Sequence, residues 1–121
     1  MTLYSQGKPA RTVSKGVVCT VEDQVETLYT CPSNCRAEVS MLYCVNPNGN
    51  TSALAKWVRF SDSAEFSLIG GKNLGLGEFV LLTGATLVLE PGDKITCVAS
   101  GNTTPELDYI CTVTETFIPV G

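Results

Sequence analysis

The chain has 121 residues, of which 44% are hydrophobic and 17% charged, with a net charge of −4. These values predict one globular domain, and no run approaches the roughly 18 consecutive apolar residues of a membrane-spanning helix. The first sixteen residues contain no apolar run either, so we do not expect a cleavable secretory signal. Histidine is absent, which removes the commonest general base and zinc ligand. We therefore expect no catalytic site, no cofactor and no membrane association.

Charge is unevenly distributed along the chain. Residues 1–21 carry Lys8, Arg11 and Lys15 and no acid, whereas residues 22–121 contain five basic and twelve acidic side chains. Because the acidic body repels phosphate backbones, we expect no nucleic-acid partner. Residues 1–16 are predicted to form an extended N-terminal arm, either solvated or docked on an acidic surface, with Tyr4 as an anchor.

Short runs with strand character follow the arm in chain order. They are residues 17–21, 25–30, 36–46, 54–60, 64–69, 78–82, 86–100 (two runs) and 107–117. Turn signals separate them at intervals of about 8–12 residues, and no helical periodicity is sustained. Residues 17–121 are therefore predicted to form an all-β antiparallel sandwich, with a jelly roll as one arrangement.

Residues 36–46 form the longest predicted strand. Its alternation places Ala37, Val39, Met41, Tyr43 and Val45 on one face. Glu38, Ser40, Leu42 and Cys44 form the other predicted face.

Residues 54–60 (LAKWVRF) alternate without a clean apolar face, so we expect an edge strand or one covered by a partner. Trp57 and Arg59 lie in this run. A large amphipathic side chain suits an interface, although a partly buried core position for Trp57 is the simpler interpretation. The glycine-dense residues 70–77 are predicted to form a loop and lack the pattern of a phosphate-binding loop.

Residues 86–100 (TLVLEPGDKITCVAS) contain two alternating runs around Pro91 and Gly92. Proline followed by glycine is typical of a type II turn, which requires a positive φ at the glycine. We therefore predict a β-hairpin with one buried face.

Six cysteines are many for this length. Buried thiols are the first interpretation, because Cys97 and Cys111 lie on the apolar faces of their strands. Disulfides are the second, with Cys31–Cys35 closing a small loop and Cys97–Cys111 bridging neighbouring strands. A zinc site is the third, formed by Cys31 and Cys35 with Cys19 and Cys44.

Four motifs in order give the chain a family resemblance. They are residues 27–32 (TLYTCP), 41–46 (MLYCVN), 87–93 (LVLEPGD) and 112–117 (TVTETF), the last containing Glu115. Across residues 25–117 the chain resembles small virion structural proteins of tailed bacteriophages, including cyanophages. It departs from the pattern at Cys31, where an aliphatic residue is usual, and in its first 24 residues, which look like an extension.

The resemblance implies a non-enzymatic protein of the virion, assembled in the host cytoplasm. It implies a capsid decoration (cement) protein that binds the major capsid protein or other virion proteins, as a homo-oligomer (trimer or dimer). A tail, neck or baseplate component is the alternative. A carbohydrate-binding module is a further alternative from outside the family, although it needs a row of exposed aromatic side chains. The residues proposed to contact partners are Tyr4, Lys8, Arg11, Lys15, Trp57 and Arg59.

Overall fold

A computed structural model describes residues 10–84 and 86–119, and this part of the chain contains nine strands and no helix. The strands are β1 (Arg11–Cys19), β2 (Glu26–Thr30), β3 (Cys35–Val45), β4 (Thr51–Val58), β5 (Glu65–Leu74), β6 (Phe79–Leu82), β7 (Leu87–Leu89), β8 (Lys94–Ser100) and β9 (Leu107–Phe117). Accordingly, the described ranges hold no helical segment that could cross a membrane.

The strands form two antiparallel sheets. The first sheet has the order β1-β9-β3-β6, and β7 also pairs with β3; the second has the order β2-β8-β4-β5. Since β9 occupies one side of β3, β6 and β7 share its other side. Counted together as one interrupted strand, they complete the eight-strand order of a jelly roll. The predicted all-β sandwich is confirmed.

The core lies between the sheets and is built from alternate residues of their inner faces. Many of these residues are small, including Ala37, Ala53 and Ala99, which are fully buried. Tyr109 is the largest fully buried side chain. Its hydroxyl donates to the carbonyl of Val98 across the sandwich at 2.7 Å and accepts from the Leu54 amide at 3.1 Å. This phenol therefore ties β9 of the first sheet to two strands of the second.

Strand β1 corrects the predicted arm. It begins at Arg11 and pairs with β9 at every position up to Cys19. Residues 11–16 therefore belong to the sandwich, and the boundary predicted after residue 16 is wrong. The strand was missed because Lys, Ser and Gly are common in this stretch. Its alternate residues Val13 and Val17 nevertheless face the core. Residues 1–9 lie outside the described residues.

The predicted turn at Pro91 and Gly92 is present, but the predicted hairpin is wrong. Gly92 has φ +86°, and the amide of Asp93 donates to the carbonyl of Glu90 at 3.0 Å, as in a type II turn. However, β7 pairs with β3 in the first sheet, while β8 pairs with β2 and β4 in the second. The turn therefore carries the chain from one sheet to the other.

Two other expectations about the second sheet are wrong. Strand β4 lies between β8 and β5, so it is an interior strand rather than an edge. Strand β5 runs through Gly70 and Gly71, which the sequence analysis placed in a loop. Its pairing with β4 contains two register shifts, and one of them leaves Gly71 without a partner on β4, which accommodates the glycines within the strand.

Candidate interaction surfaces

The outer face of the first sheet carries an exposed apolar patch. The register places Val18, Asp108, Val45 and Phe79 in one row across four strands, and Gly16, Ile110, Tyr43 and Leu81 in the next. We call its six apolar members the outer patch: Val18, Tyr43, Val45, Phe79, Leu81 and Ile110. Phe79 is 58% exposed, Val18 50%, Leu81 48% and Ile110 37%. Four strands at spacings of about 4.8 Å make the patch roughly 14 Å wide.

A bulge in β3 creates much of this patch. The pairing with β9 shifts between Val39 and Met41, so the residues facing the core change from odd to even numbers. Leu42 and Cys44 are therefore buried, and Tyr43 and Val45 turn outward, where Tyr43 packs against Phe79 with ring centroids 5.8 Å apart. The single face predicted for residues 37–45 is wrong beyond the bulge. Apolar residues on both faces of this run were the available signal for the patch.

Asp108 lies in the middle of the patch between Val18 and Val45. Its Oδ1 is the one buried side-chain oxygen or nitrogen in the described part of the chain that has no hydrogen-bond partner there. A buried carboxylate oxygen is stabilised by a donor. Asp108 as a whole is partly exposed, so the patch combines apolar area with one carboxylate.

On β1 and β9 the rest of the same face is polar. Thr12 and Thr114 join their hydroxyls at 3.2 Å, and Ser14 and Thr112 at 2.9 Å. Cross-strand hydroxyl pairs of this kind stabilise a solvated sheet surface. The outer face thus divides into an apolar half and a hydroxyl-rich half, both crossed by β9.

An open groove of about 420 Å³ adjoins the outer patch, where β6 ends and β7 begins. Leu81 contributes to both surfaces, and Val39, Leu68 and Leu87 also line the groove. The apolar surface of the first sheet therefore continues around its edge towards β5.

Trp57 and Arg59 lie in a second cluster at the end of β4. The indole packs against the core and donates to Asp93 at 3.1 Å, and its ring lies 4.9 Å from that of Phe66. The Arg59 guanidinium lies 5.2 Å from the Phe66 ring centroid and forms two hydrogen bonds to Asp62. The simpler interpretation of Trp57, a partly buried core position, matches these contacts.

Asp93 organises this cluster and was missed by the sequence analysis. It is buried and also accepts from the backbone amides of Phe60 at 2.8 Å and Glu90 at 3.0 Å. The signal for it was its position directly after Pro91 and Gly92, since an aspartate beside a turn commonly binds backbone amides.

Arg11 contacts its own chain. Its Nε donates to Glu115 at 2.7 Å, and Glu115 also accepts from the hydroxyl of Tyr29 at 2.5 Å. Burial raises the pKa of Glu115. The hydrogen bonds from Tyr29 and Arg11 together lower this pKa by more than burial raises it, so the carboxyl titrates below its usual range. Lys15 is exposed on β1. Tyr4 and Lys8 lie outside the described residues, and the predicted partner contacts of all six residues stay predictions.

All six cysteines are buried thiols. Burial raises the pKa of Cys31 and of Cys111 to about 11, and that of Cys44 to about 12. The predicted bridge between Cys97 and Cys111 assumed neighbouring strands, but β8 and β9 lie in different sheets. Cys97 instead contacts Cys19, with 3.7 Å between the two sulfurs.

The predicted zinc ligands do not come together. Cys35 lies at the start of β3, beside the end of β9, whereas Cys44 lies nine residues along β3, beside Tyr109. Within residues 10–84 and 86–119, no three His, Cys, Asp or Glu side chains are grouped as metal ligands. Cys31 donates instead to the carbonyl oxygen of Cys35 at 3.3 Å.

No protein-family profile and no curated protein sequence matches this chain. Its fold, however, matches solved structures. A chain from the acid-stable capsid of Helicobacter pylori bacteriophage KHP30 has a TM-score of 0.56 and 14% identity, covering 90% of this chain and 89% of that one. These two coverages mean that both chains have nearly the same length.

Two further likenesses come from other assemblies. A subunit of the disulfide-linked pili of Bacillus endospore appendages has a TM-score of 0.50 and 12% identity, covering 93% of each chain. A chain of the T13 particle of infectious bursal disease virus (IBDV) has a TM-score of 0.50 and 10% identity, and this chain spans only 37% of it. The neighbours are thus viral capsid and pilus proteins with β-sandwich folds, and at these identities the likeness is one of fold.

Proposed function

We propose that this protein is a structural component of a tailed-phage virion. More specifically, we propose a capsid decoration (cement) protein that binds between major capsid protein subunits on the outside of the head, after assembly in the host cytoplasm. The outer patch carries this proposal, because it offers a preformed apolar contact surface on a fold shared with a phage capsid chain of similar length. The proposal assigns the protein no catalytic activity.

The size of the outer patch fits a weak contact repeated many times. Exposed apolar patches of monomers reach roughly 300–600 Å², whereas a stable interface buries about 800 Å² on each partner. The six residues of the outer patch correspond in area to an exposed apolar patch of a monomer rather than to a complete stable interface. Such a contact is weak for one copy and becomes strong when many copies, or the protomers of a trimer or dimer, bind a symmetric shell together.

The partner surface is expected to be apolar and to carry a hydrogen-bond donor opposite Asp108. Asp108 is a partly exposed carboxylate within the patch, and the body of the chain from residue 22 onward is acidic. An amide, hydroxyl or cationic group of the partner would complement this carboxylate. A surface rich in carboxylates would be repelled.

The test is binding of the purified protein to phage heads that lack it, measured by co-sedimentation. Ile110→Lys places a charge at the centre of the outer patch, so we expect its binding to fall at least about tenfold, since burying an unpaired charge costs more than the 1.4 kcal/mol that this factor represents. Thr114→Lys is the matched control, because Thr114 lies on the same strand and the same face but in the hydroxyl-rich half. We expect the control to bind as the native protein does.

Two outcomes contradict the proposal. If the native protein does not bind heads but binds tails, necks or baseplates, the tail-associated alternative replaces the decoration role. If Ile110→Lys and Thr114→Lys weaken head binding equally, the outer patch is not the contact surface.

A further inference from the structure

Two buried thiols from different sheets touch each other inside the sandwich. Cys19 is the last residue of β1 in the first sheet, and Cys97 lies in the middle of β8 in the second. Their sulfurs are 3.7 Å apart although the residues are 78 positions apart in sequence. Both side chains are fully buried.

The two sheets approach each other closely where this contact forms. Strands β1 and β8 have Cα atoms within 8 Å of each other, whereas packed sheets are usually about 10 Å apart. The sulfurs of Cys19 and Cys97 are 3.7 Å apart, and a disulfide holds its sulfurs about 2.05 Å apart, so closing a bond here needs only a small local movement. An end-of-strand position for Cys19, followed by the exposed residues 20–23, permits such a movement.

The predicted pair of Cys31 and Cys35 does not show this arrangement. The sulfur of Cys31 is directed at the carbonyl oxygens of Cys35 and Leu89, at 3.3 and 3.7 Å. The sulfur of Cys35 lies 3.4 Å from Oδ1 of Asn34. These contacts of Cys31 and Cys35 are with oxygen atoms, whereas Cys19 and Cys97 contact each other through their sulfurs.

We propose that Cys19 and Cys97 form an oxidative cross-link site that joins the two sheets. The oxidant is a small hydroperoxide, such as hydrogen peroxide, which is compact enough to reach a buried pair during local opening of β1. One thiolate attacks the peroxide oxygen, which gives a sulfenic acid and hydroxide. The second thiolate then attacks that sulfur, and the sulfenic oxygen leaves as water. In sum, two thiols and one hydrogen peroxide give one disulfide and two waters.

This cross-link would secure an edge strand. Strand β1 lies at the edge of the first sheet and hydrogen-bonds only with β9 there. A covalent bond to β8 would also close a loop of nearly eighty residues, which restricts the unfolded chain strongly. Because cytosolic thiols are kept reduced, the bond is expected only after the protein meets oxidising surroundings. The proposal does not depend on the virion role.

The experiment is mass spectrometry of the folded, full-length protein after treatment with hydrogen peroxide at neutral pH. Remaining thiols are alkylated in denaturant, and the protein is digested with trypsin and a glutamate-specific protease. This digestion places the two cysteines on residues 16–22 and residues 95–106. We expect these two peptides to be joined, with the loss of two hydrogen atoms, and separated again by dithiothreitol. Six alkylated thiols, or a link between other cysteines, would overturn the proposal.

Variants and thermal unfolding complete the test. Cys97→Ser is expected to abolish the linked peptide, whereas Cys111→Ser, an equally buried change in the first sheet, is expected to retain it. We expect the oxidised native protein to melt at least about 5 °C above the reduced protein, and this rise to be absent in Cys97→Ser. A fall in Tm on oxidation would contradict the stabilising role. The peptide link in the native protein decides the site even if a variant does not fold.

Discussion

At the scale of single residues, Gly92 combines a backbone requirement with a packing requirement. Its φ of +86° favours glycine, and a Cβ at this position would lie 2.7 Å from Cγ of Phe60. Gly84 has nearly the same φ, +84°, but a Cβ there would meet nothing within 4 Å. Comparing substitutions at the two glycines therefore distinguishes the effect of backbone strain from the effect of side-chain crowding.

We predict that Gly92→Ala destabilises the protein more than Gly84→Ala does. Left-handed backbone costs a non-glycine residue about 1–2 kcal/mol, and crowding against Phe60 adds about 1–3 kcal/mol at position 92 only. Urea unfolding followed by circular dichroism measures both variants. Adding Phe60→Ala to Gly92→Ala is expected to recover part of the loss, and equal stability of the two single variants would show that Phe60 does not crowd the turn.

The sequence predicted local conformation at this turn better than it predicted strand pairing. Proline followed by glycine specifies φ at two positions, so the type II turn was predictable. The partners of β7 and β8 were not, because alternation shows which residues share a face but not which strand lies beside them. For the same reason, the contact between Cys19 and Cys97 requires the two-sheet arrangement, which no spacing in the sequence reveals.

At the scale of elements, β1 shows where composition misleads. Its polar outer residues and glycine are typical of an unstructured terminus, yet all nine of its residues pair with β9. Its inner face includes Val13, Val17 and the cation that binds Glu115. The candidate surface was likewise only partly predictable, since one bulge in β3 decides which side chains reach the outer patch.

We predict that removing residues 2–16 destabilises the sandwich strongly, whereas removing residues 2–10 retains every β1 pair. The longer deletion removes six of the nine β1–β9 pairs and leaves Glu115 without Arg11. Removing the ion-pair partner of a buried carboxylate destabilises a protein by on the order of 3 kcal/mol. Thermal denaturation of the two truncated proteins measures the difference. Identical melting temperatures would mean that residues 11–16 contribute nothing to the fold.

At the scale of the whole molecule, a few buried polar groups connect the two sheets. Tyr109 reaches from the first sheet to the backbone of the second, and Tyr29 of the second reaches Glu115 of the first. The core is rich in alanine and cysteine, whose small side chains do little to fix the position of one sheet on the other. These directional hydrogen bonds do fix it. The carboxylate also makes the stability of the sandwich depend on pH.

We predict that Glu115→Gln lowers the free energy of unfolding by about 1–3 kcal/mol at pH 7, because a buried charged hydrogen-bond acceptor is lost. The pKa of Glu115 is below its unfolded value of about 4.3. Its contribution is therefore complete above that value and is lost as the pH falls through the folded pKa. Thermal denaturation measures this between about pH 3 and pH 7, the range over which Glu115 goes from protonated to charged. We expect the melting temperatures of the variant and the native protein to converge as the pH falls.

The matched control for this prediction is Glu65→Gln. Glu65 pairs with Lys56 at 3.2 Å, and both side chains are about half exposed. Exposed pairs contribute only about 0–1 kcal/mol, so we expect little change at any pH. If the difference in melting temperature between Glu115→Gln and the native protein stays constant down to the lowest pH, the role of the Glu115 charge is contradicted.

The division of one sheet position between β6 and β7 has a consequence for how copies associate. These strands have only four and three residues, and the chain leaves the sheet between them. A long straight border would invite another chain to extend the sheet by backbone pairing, which is the route to fibrillar aggregation, and short interrupted strands deny it that template. Side chains such as Phe79 and Leu81 therefore remain available on a border that resists uncontrolled polymerisation. This edge therefore favours association through side chains over amyloid-like growth through backbone pairing.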